Sequence, residues 1–484
     1  MVFSSTIFLF FFLPLVLVVY FLTGTKGRNS ILLLASLLFY AWGENIFVLL
    51  MLFSIGLNYL FGLSIGKSQE SGKTGKIALT LAIAANLGLL AFFKYCNFAV
   101  ENINRLLLFM QQQPIQISDV HLPIGISFFT FQAMSYVIDV YRKEAKVQKN
   151  PINIALYISL FPQLIAGPIV RYHDIANQIT NRVVRSPDVV AGIQRFIIGL
   201  GKKVLIANVM GRTADYIFSL PAETIPPYLA WMGAISYSLQ IYYDFSGYSD
   251  MAIGLGRIFG FKFLENFNYP YFASSIKDFW RRWHISLSSW FRDYLYIPLG
   301  GSRKSTARTY VNLILVFFLC GLWHGASWTF VVWGLYHGSF LIIERWRPVT
   351  RLLQILPRAV VHMYVLLVVI VGWVFFRAES FSYALGYLKA MVTFSTPSMY
   401  NSQLFLNMNQ EYYLIFVLAV VGATPTTKNL YAYLERSLRS GTGAASIGQT
   451  VVVAGEFFAL AGIFLYSIAS IMGGAYNPFL YFRF

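Results

Sequence analysis

Uninterrupted apolar runs, each about 17–25 residues long, recur from one end of this chain to the other. A run of that length crosses a bilayer as a helix. Lipid offers no hydrogen bonds to a backbone, so each run must satisfy its own amide groups or be wrapped in protein. The runs are continuous, not alternating, and far longer than the roughly ten residues of a barrel strand, which argues against a β-barrel. Charged residues make up 12% of the chain and hydrophobic residues 57%, against about 25% charged in soluble domains. The expected fold class is an all-α integral membrane protein with many spans. No internal repeat and no soluble domain is visible, so residues 1–484 read as a single multi-span membrane domain.

The formal net charge is +17. Its natural reading is a surplus of basic residues on cytoplasmic loops, not nucleic-acid binding. Ile7 to Leu22 has no basic residue before it and no small-residue cleavage pattern after it, so it reads as a retained first span. Basic residues then fall in alternate loops: Lys26 and Arg28, Lys67 to Lys76, and Arg142 to Lys149. Gly43-Glu44-Asn45 and the long loop around Asn97 to His121 lack that bias. This pattern puts the N-terminus outside.

The counting fails after Asn150. Arg171, Arg182, Arg185, Arg195, Lys202 and Lys203 would fall outside if Tyr157 to Val170 crossed straight. A broken or re-entrant helix at Phe161 to Pro168, punctuated by Pro162, Gly167 and Pro168, keeps them inside. Asp244 and Asp250 interrupt the apolar stretch Pro227 to Ile258 and are expected to face the interior or the membrane surface. Lys277 to Pro298, rich in Trp, Arg and Asp, reads as an interfacial or partly inserted helix. Later spans are expected at Val360–Phe376, Tyr412–Ala423 and Val451–Met472, with a small-residue loop at Ser440 to Ser446.

Six histidines are present, and one stands apart. His324 lies in Gly321-Leu322-Trp323-His324-Gly325-Ala326-Ser327-Trp328, between the apolar runs Thr309 to Leu322 and Ser327 to Ile343. An ionisable group at membrane depth is costly and is a functional-site hypothesis by default. Histidine titrates nearest neutral pH, which suits proton transfer. The small neighbours are expected to leave room beside the ring, and Trp323 and Trp328 to wall it. His121, His173 and His362 read as span-end residues, and His337 as a hydrogen-bonded packing residue.

His284 is the second candidate, in Asp278-Phe279-Trp280-Arg281-Arg282-Trp283-His284-Ile285-Ser286. A helix there places Arg281, His284 and Ser288 on one face. Arginines beside tryptophans suit an anionic ligand, since guanidinium grips phosphate with paired hydrogen bonds and an indole offers a stacking wall. Coenzyme A, with phosphates and an adenine, fits such a mouth. The competing reading is a plain aromatic-basic interfacial helix. The chain has two cysteines. Cys320, one turn before His324, reads as an inert buried thiol. No phosphate-binding loop, zinc motif, nucleophile elbow or Cys/His cluster is found, so no metal is expected.

Taken together, Asp278 to Gly301 and Gly321 to Trp328 resemble the membrane-bound O-acyltransferase superfamily, and within it the membrane component of bacterial alginate O-acetylation systems. Met1-Val2-Phe3-Ser4-Ser5, Ile165 to Ile169 and Pro478 to Phe484 share the resemblance, which spans essentially the full length. It implies a helical bowl with a central tunnel, in the bacterial inner membrane. It implies that His324 is the essential residue and His284 a second important one. The implied donor is a cytoplasmic thioester, acetyl-CoA, with Arg281, Arg282 and Trp323 as candidate coenzyme-binding residues. The implied partners are an SGNH-type acetyltransferase outside and exopolysaccharide export machinery. Two alternatives stay open: transfer of another unit such as D-alanine from a carrier protein, and a transporter or flippase without acyl chemistry. Within the acetyl reading, His324 as general base and His324 as acetyl carrier are not separated.

Overall fold

The structure is a computed structural model, and it describes residues 1–393, 408–439, 444–474 and 476–478. These residues are helical or irregular, with no strand among them. Five helices are long and apolar enough to cross a membrane: Arg28–Glu70, Lys76–Phe109, Thr306–His324, Arg358–Arg377 and Val452–Met472. Phe8–Leu22, Trp328–Ile343 and Gln410–Gly422 are apolar but shorter. The first of the five is broken at Asn45, whose φ of 44° no straight helix tolerates, into Arg28–Glu44 and Val48–Glu70. Peripheral helices expose apolar side chains such as Phe11, Leu38, Leu60 and Phe458, as lipid-facing surfaces do. The chain is a multi-pass membrane protein.

Two helices form the centre because they are buried on all sides along most of their length. One is Ile126–Arg142, buried at every position from Ile126 to Val140. The other is the 32-residue helix Pro227–Ile258, which opens with Pro227 in its first turn, where no amide partner is lost. Ser186–Gly201 lies hard against it. A Cβ on Gly192 would stand 2.7 Å from the Gly254 carbonyl oxygen, and one on Gly247 would stand 2.7 Å from that of Gly199. Only glycine lets two backbones approach so closely, the usual device of membrane helices. The expectation for the two aspartates holds: Asp250 pairs with Arg195 at 2.6 Å and Lys202 at 2.7 Å, and buried Asp244 pairs with Lys203 at 2.6 Å.

The break foreseen near Pro162 is present. Pro151–Ser159 ends, Phe161–Leu164 makes a single turn, and residues 165–170 run non-helically while fully buried. Their freed backbone groups find partners in the protein, as a dry interior demands. The Phe161 amide donates to Ser36 Oγ (3.0 Å), the Ile169 amide to Ser286 Oγ (3.0 Å), and Tyr157 Oη to the Val170 carbonyl (2.9 Å).

Other expectations need correction. Lys277 to Pro298 is not one interfacial helix. It folds as Ile276–Arg282, then Ile285–Phe291, then a further turn Arg292–Tyr296, with Phe279, Trp283, His284, Leu287 and Trp290 buried. The loop expected from Asn97 is largely helix, since Lys76–Phe109 runs through it and only residues 110–125 are non-helical. Residues 440–443 of the Ser440–Ser446 stretch lie outside the described residues, and 444–446 already belong to the last helix. Residues 479–484 of the closing motif also lie outside them.

Candidate functional site

Thr306–His324 ends at His324 because Gly325 swings into extended backbone, φ −167° and ψ 152°. Ser327 then caps the next helix, Trp328–Ile343, accepting from the Thr329 amide at 3.3 Å. His324 therefore closes a helix and is not embedded within one. It is 7% exposed, with ring centroids of Trp323 (5.0 Å), Trp333 (5.0 Å) and Phe376 (5.2 Å) around it, all steeply inclined to its plane.

That box differs from the one expected. Trp328 is 52% exposed and bonds outward, its indole donating to Asn102 at 2.9 Å. The turn at Gly325 carries it away, and Trp333 from the following helix takes its place. The small residues do not leave space either. A side chain on Gly321 would meet the Phe330 carbonyl, and one on Gly325 the Phe330 ring. They let the two helices press together, which brings Trp333 to the histidine.

The carbonyls at the end of the His324 helix are held from across the fold. Lys94, buried midway along Lys76–Phe109, donates through Nζ to the Trp323 carbonyl, to the His324 carbonyl (3.5 Å) and to Ser127 Oγ (3.1 Å). Tyr95 Oη donates to the Leu322 carbonyl at 2.7 Å. Sequence reasoning missed Lys94, although a lone lysine inside an apolar run is itself a signal. Replacing Lys94 by Met, similar in length but without donors, leaves buried carbonyls unpaired at about 1–3 kcal/mol each. We expect a lower melting temperature, read by thermal unfolding of the purified protein.

His284 sits between two short helices at φ 43°, a left-handed conformation unusual for a non-glycine residue, and it is fully buried. The break removes the expected common face of Arg281, His284 and Ser288. The ring meets the Phe245 ring at 4.5 Å and Trp323 at 6.2 Å. Trp323 thus touches both histidines. His284 Nδ1 lies 3.2 Å from Asn266 Oδ1, and Nε2 has no partner among the described residues.

Two cavities flank this group. A large one of about 880 Å³ has Lys277, Arg281, Arg292 and Arg345 among its lining residues, with Leu313, Val316, Phe317 and Cys320 on its apolar wall. A small one of about 100 Å³ is lined by Lys94, Ser127, Trp323 and His324. They share no lining residue: the large one reaches Cys320, one turn before the Trp323 and His324 that line the small one. Arg281 lines the large cavity and makes no ion pair among the described residues. Arg282 does not line it and is held by Asp278 at 2.9 Å. Trp323 belongs to the small cavity, and His284 lines neither.

His337 is buried in a ring of Trp280, Trp333 and Tyr336, but neither nitrogen is bonded among the described residues, so it is a packing residue without the expected hydrogen bond. His121 meets Glu44 at 3.2 Å. Asp139, Glu144 and His173 bring ligand atoms within 4.8 Å of one another, a spacing compatible with a metal. Their existing contacts form an ion-pair network. The His173 amide and Nδ1 both reach Asp139 Oδ2 (3.0 and 2.9 Å), and Tyr294 takes the other oxygen at 2.6 Å. Bonding to Asp139 and Asp174 pushes the His173 pKa up to about 10, which keeps it a cation.

Comparison with known proteins agrees with this architecture. The family model described as MBOAT, membrane-bound O-acyltransferase family, matches residues 36–385. A protein of Azotobacter vinelandii named probable alginate O-acetylase AlgI is 41% identical over all of both chains. A peptidoglycan O-acetyltransferase of Helicobacter pylori is 39% identical over 81% of this chain and 80% of its own. A teichoic acid D-alanyltransferase of Bacillus subtilis is 32% identical over 46% of this chain and 60% of its own.

Proposed function

The chain belongs to the membrane-bound O-acyltransferase family, and from that premise we propose that it takes acetyl from cytoplasmic acetyl-CoA and passes it outward for O-acetylation of an exported, alginate-like polysaccharide. One observation carries the reading. A cavity of about 880 Å³, basic at one part of its wall and apolar at another, reaches Cys320, one helical turn from the buried His324. That volume suits a cofactor-sized ligand. The coenzyme phosphates meet Arg281, Lys277 and Arg345, and the thioester arm follows Leu313, Val316 and Phe317 towards the histidine.

In the reaction, the acceptor hydroxyl loses its proton to the His324 imidazole as its oxygen attacks the thioester carbonyl. The carbon–sulfur bond breaks, and the leaving thiolate takes the proton back. Such a base contributes about 10²–10⁴-fold, and fixed orientation of two substrates contributes further. The protein lies in the inner membrane with its N-terminus outside. A separate SGNH-type acetyltransferase, working with the export machinery, places the acetyl group on the polymer.

Purified protein supplied with acetyl-CoA and the outer partner is expected to release free coenzyme A thiol. A transporter would leave the thioester intact. A D-alanyltransferase would consume a charged carrier protein and ignore acetyl-CoA. The two arginines give an internal control. Arg281→Gln removes a charged phosphate contact of about 1.5–3 kcal/mol. The KM for acetyl-CoA is expected to rise roughly 10–100-fold at nearly constant kcat. Arg282→Gln, already engaged by Asp278, is expected to change KM only a few-fold.

A further inference from the structure

Asn266 lies outside every motif considered above, in the irregular segment between Pro227–Ile258 and Ile276–Arg282, yet it is buried and meets His284. The orientation of its amide follows from an unambiguous donor. The Ser286 backbone amide lies 3.2 Å from Oδ1, and an N–H faces only an acceptor. The other end of the amide donates to Ser249 Oγ at 3.0 Å. Ser286 Oγ receives the Ile169 amide and directs its own proton to the same Asn266 oxygen at 2.9 Å. The oxygen beside His284 Nδ1 is therefore an acceptor, and Ser286 Oγ, 3.5 Å from Nδ1 with its proton directed to Asn266, presents a lone pair as well, which favours a protonated Nδ1. In the other tautomer two sets of lone pairs would face each other at 3.2 Å, and an Nε2 proton would be buried without an acceptor.

We infer that Asn266 is a positioning residue that fixes His284 in its Nδ1–H tautomer, leaving Nε2, buried on the Trp323 side and outside both cavities, as the unprotonated nitrogen. The inference rests on the acetyl-transfer reading. The network gives it a mechanical basis: Asn266 and Ser286 tie the strained φ of His284 to Ile169 of the buried non-helical segment, and the Ile285 amide bonds the Asn266 carbonyl at 2.9 Å. An outer partner that sets which imidazole nitrogen is free is a common arrangement around working histidines.

Two measurements test it. The protein is labelled with ¹⁵N-histidine and studied in bilayers by solid-state NMR, with the His284 signal identified by its loss in His284→Gln. A protonated Nδ1 and bare Nε2 are expected. A bare Nδ1 overturns the inference. The second measurement is coenzyme A release from acetyl-CoA. Asn266→Ala is expected to lower kcat roughly 10–100-fold. Asn266→Asp keeps the acceptor oxygen and is expected to recover to within a few-fold of wild type, with the acid limb of the pH profile moved to higher pH, because a carboxylate favours the imidazolium. Asn266→Ala is also expected to cost nothing further in a His284→Gln background. Additive losses, or no recovery with Asp in a normally folded protein, overturn the inference. Full activity in His284→Gln alone would refute the role of His284 in transfer, while the NMR result still decides the tautomer.

Discussion

His324→Ala is expected to abolish O-acetylation of the exported polymer while the protein still accumulates in the membrane. Among the described residues the ring and Lys94 are the titratable side chains that line the small cavity, and Trp323, Trp333 and Phe376 pack around the ring. Removing a positioned base costs about 10²–10⁴ in rate, or roughly 3–5 kcal/mol of barrier. The fold should survive, because the backbone carbonyls at this helix end are held by Lys94 and Tyr95 whatever side chain residue 324 carries. Acetyl content of secreted polymer, normalised to membrane protein measured by immunoblot, checks both halves. Wild-type acetylation in this variant would remove His324 from the mechanism. His324→Gln offers a finer version: it keeps a polar group of similar reach and loses the titratable nitrogen, so it too should be inactive.

How much of this was legible in the sequence depends on how local each signal is. His324 stood out because imidazoles are rare in apolar runs. The break around Phe161–Pro168 was announced by its prolines, whose effect on a helix is local and steric. Trp328 misled, because nothing in Gly325-Ala326-Ser327 dictates that Gly325 adopts extended backbone; packing against Phe330 decides it. The break at His284 was illegible for a related reason. A left-handed non-glycine residue is imposed by tertiary structure, here by Asn266 and Ser286, and has no composition of its own. Neighbouring Arg281 and Arg282 look alike in sequence, yet one lines the large cavity and the other is engaged by Asp278. Lys94 and Asn266 bond residues 229 and 18 positions away, and separations of that kind leave no periodic trace.

The largest stability effect is expected away from the histidines, at Lys203 and Asp244. Lys203 is 1% exposed and Asp244 3%, with 2.6 Å between Nζ and a carboxylate oxygen. Breaking such a buried pair by removing one partner costs about 3–5 kcal/mol, because the remaining buried group loses its opposite charge. That is a large share of a typical stability of roughly 5–15 kcal/mol. Lys203→Met should therefore lower the melting temperature of the detergent-purified protein and sharply reduce its accumulation. Asp244→Leu should do the same from the other side. The double variant should recover most of the loss, since an apolar pair of similar volume is often as stable as the ions it replaces. Recovery should fall short by about 1 kcal/mol, because Nζ of Lys203 also donates to the Pro478 carbonyl. Activity should follow the same order. Phe245, next to Asp244 on the central helix, packs its ring 4.5 Å from that of His284, so displacing this turn disturbs the site. Single variants as stable as wild type would mean that water reaches the pair, and would remove it from the account of how the central helix is held.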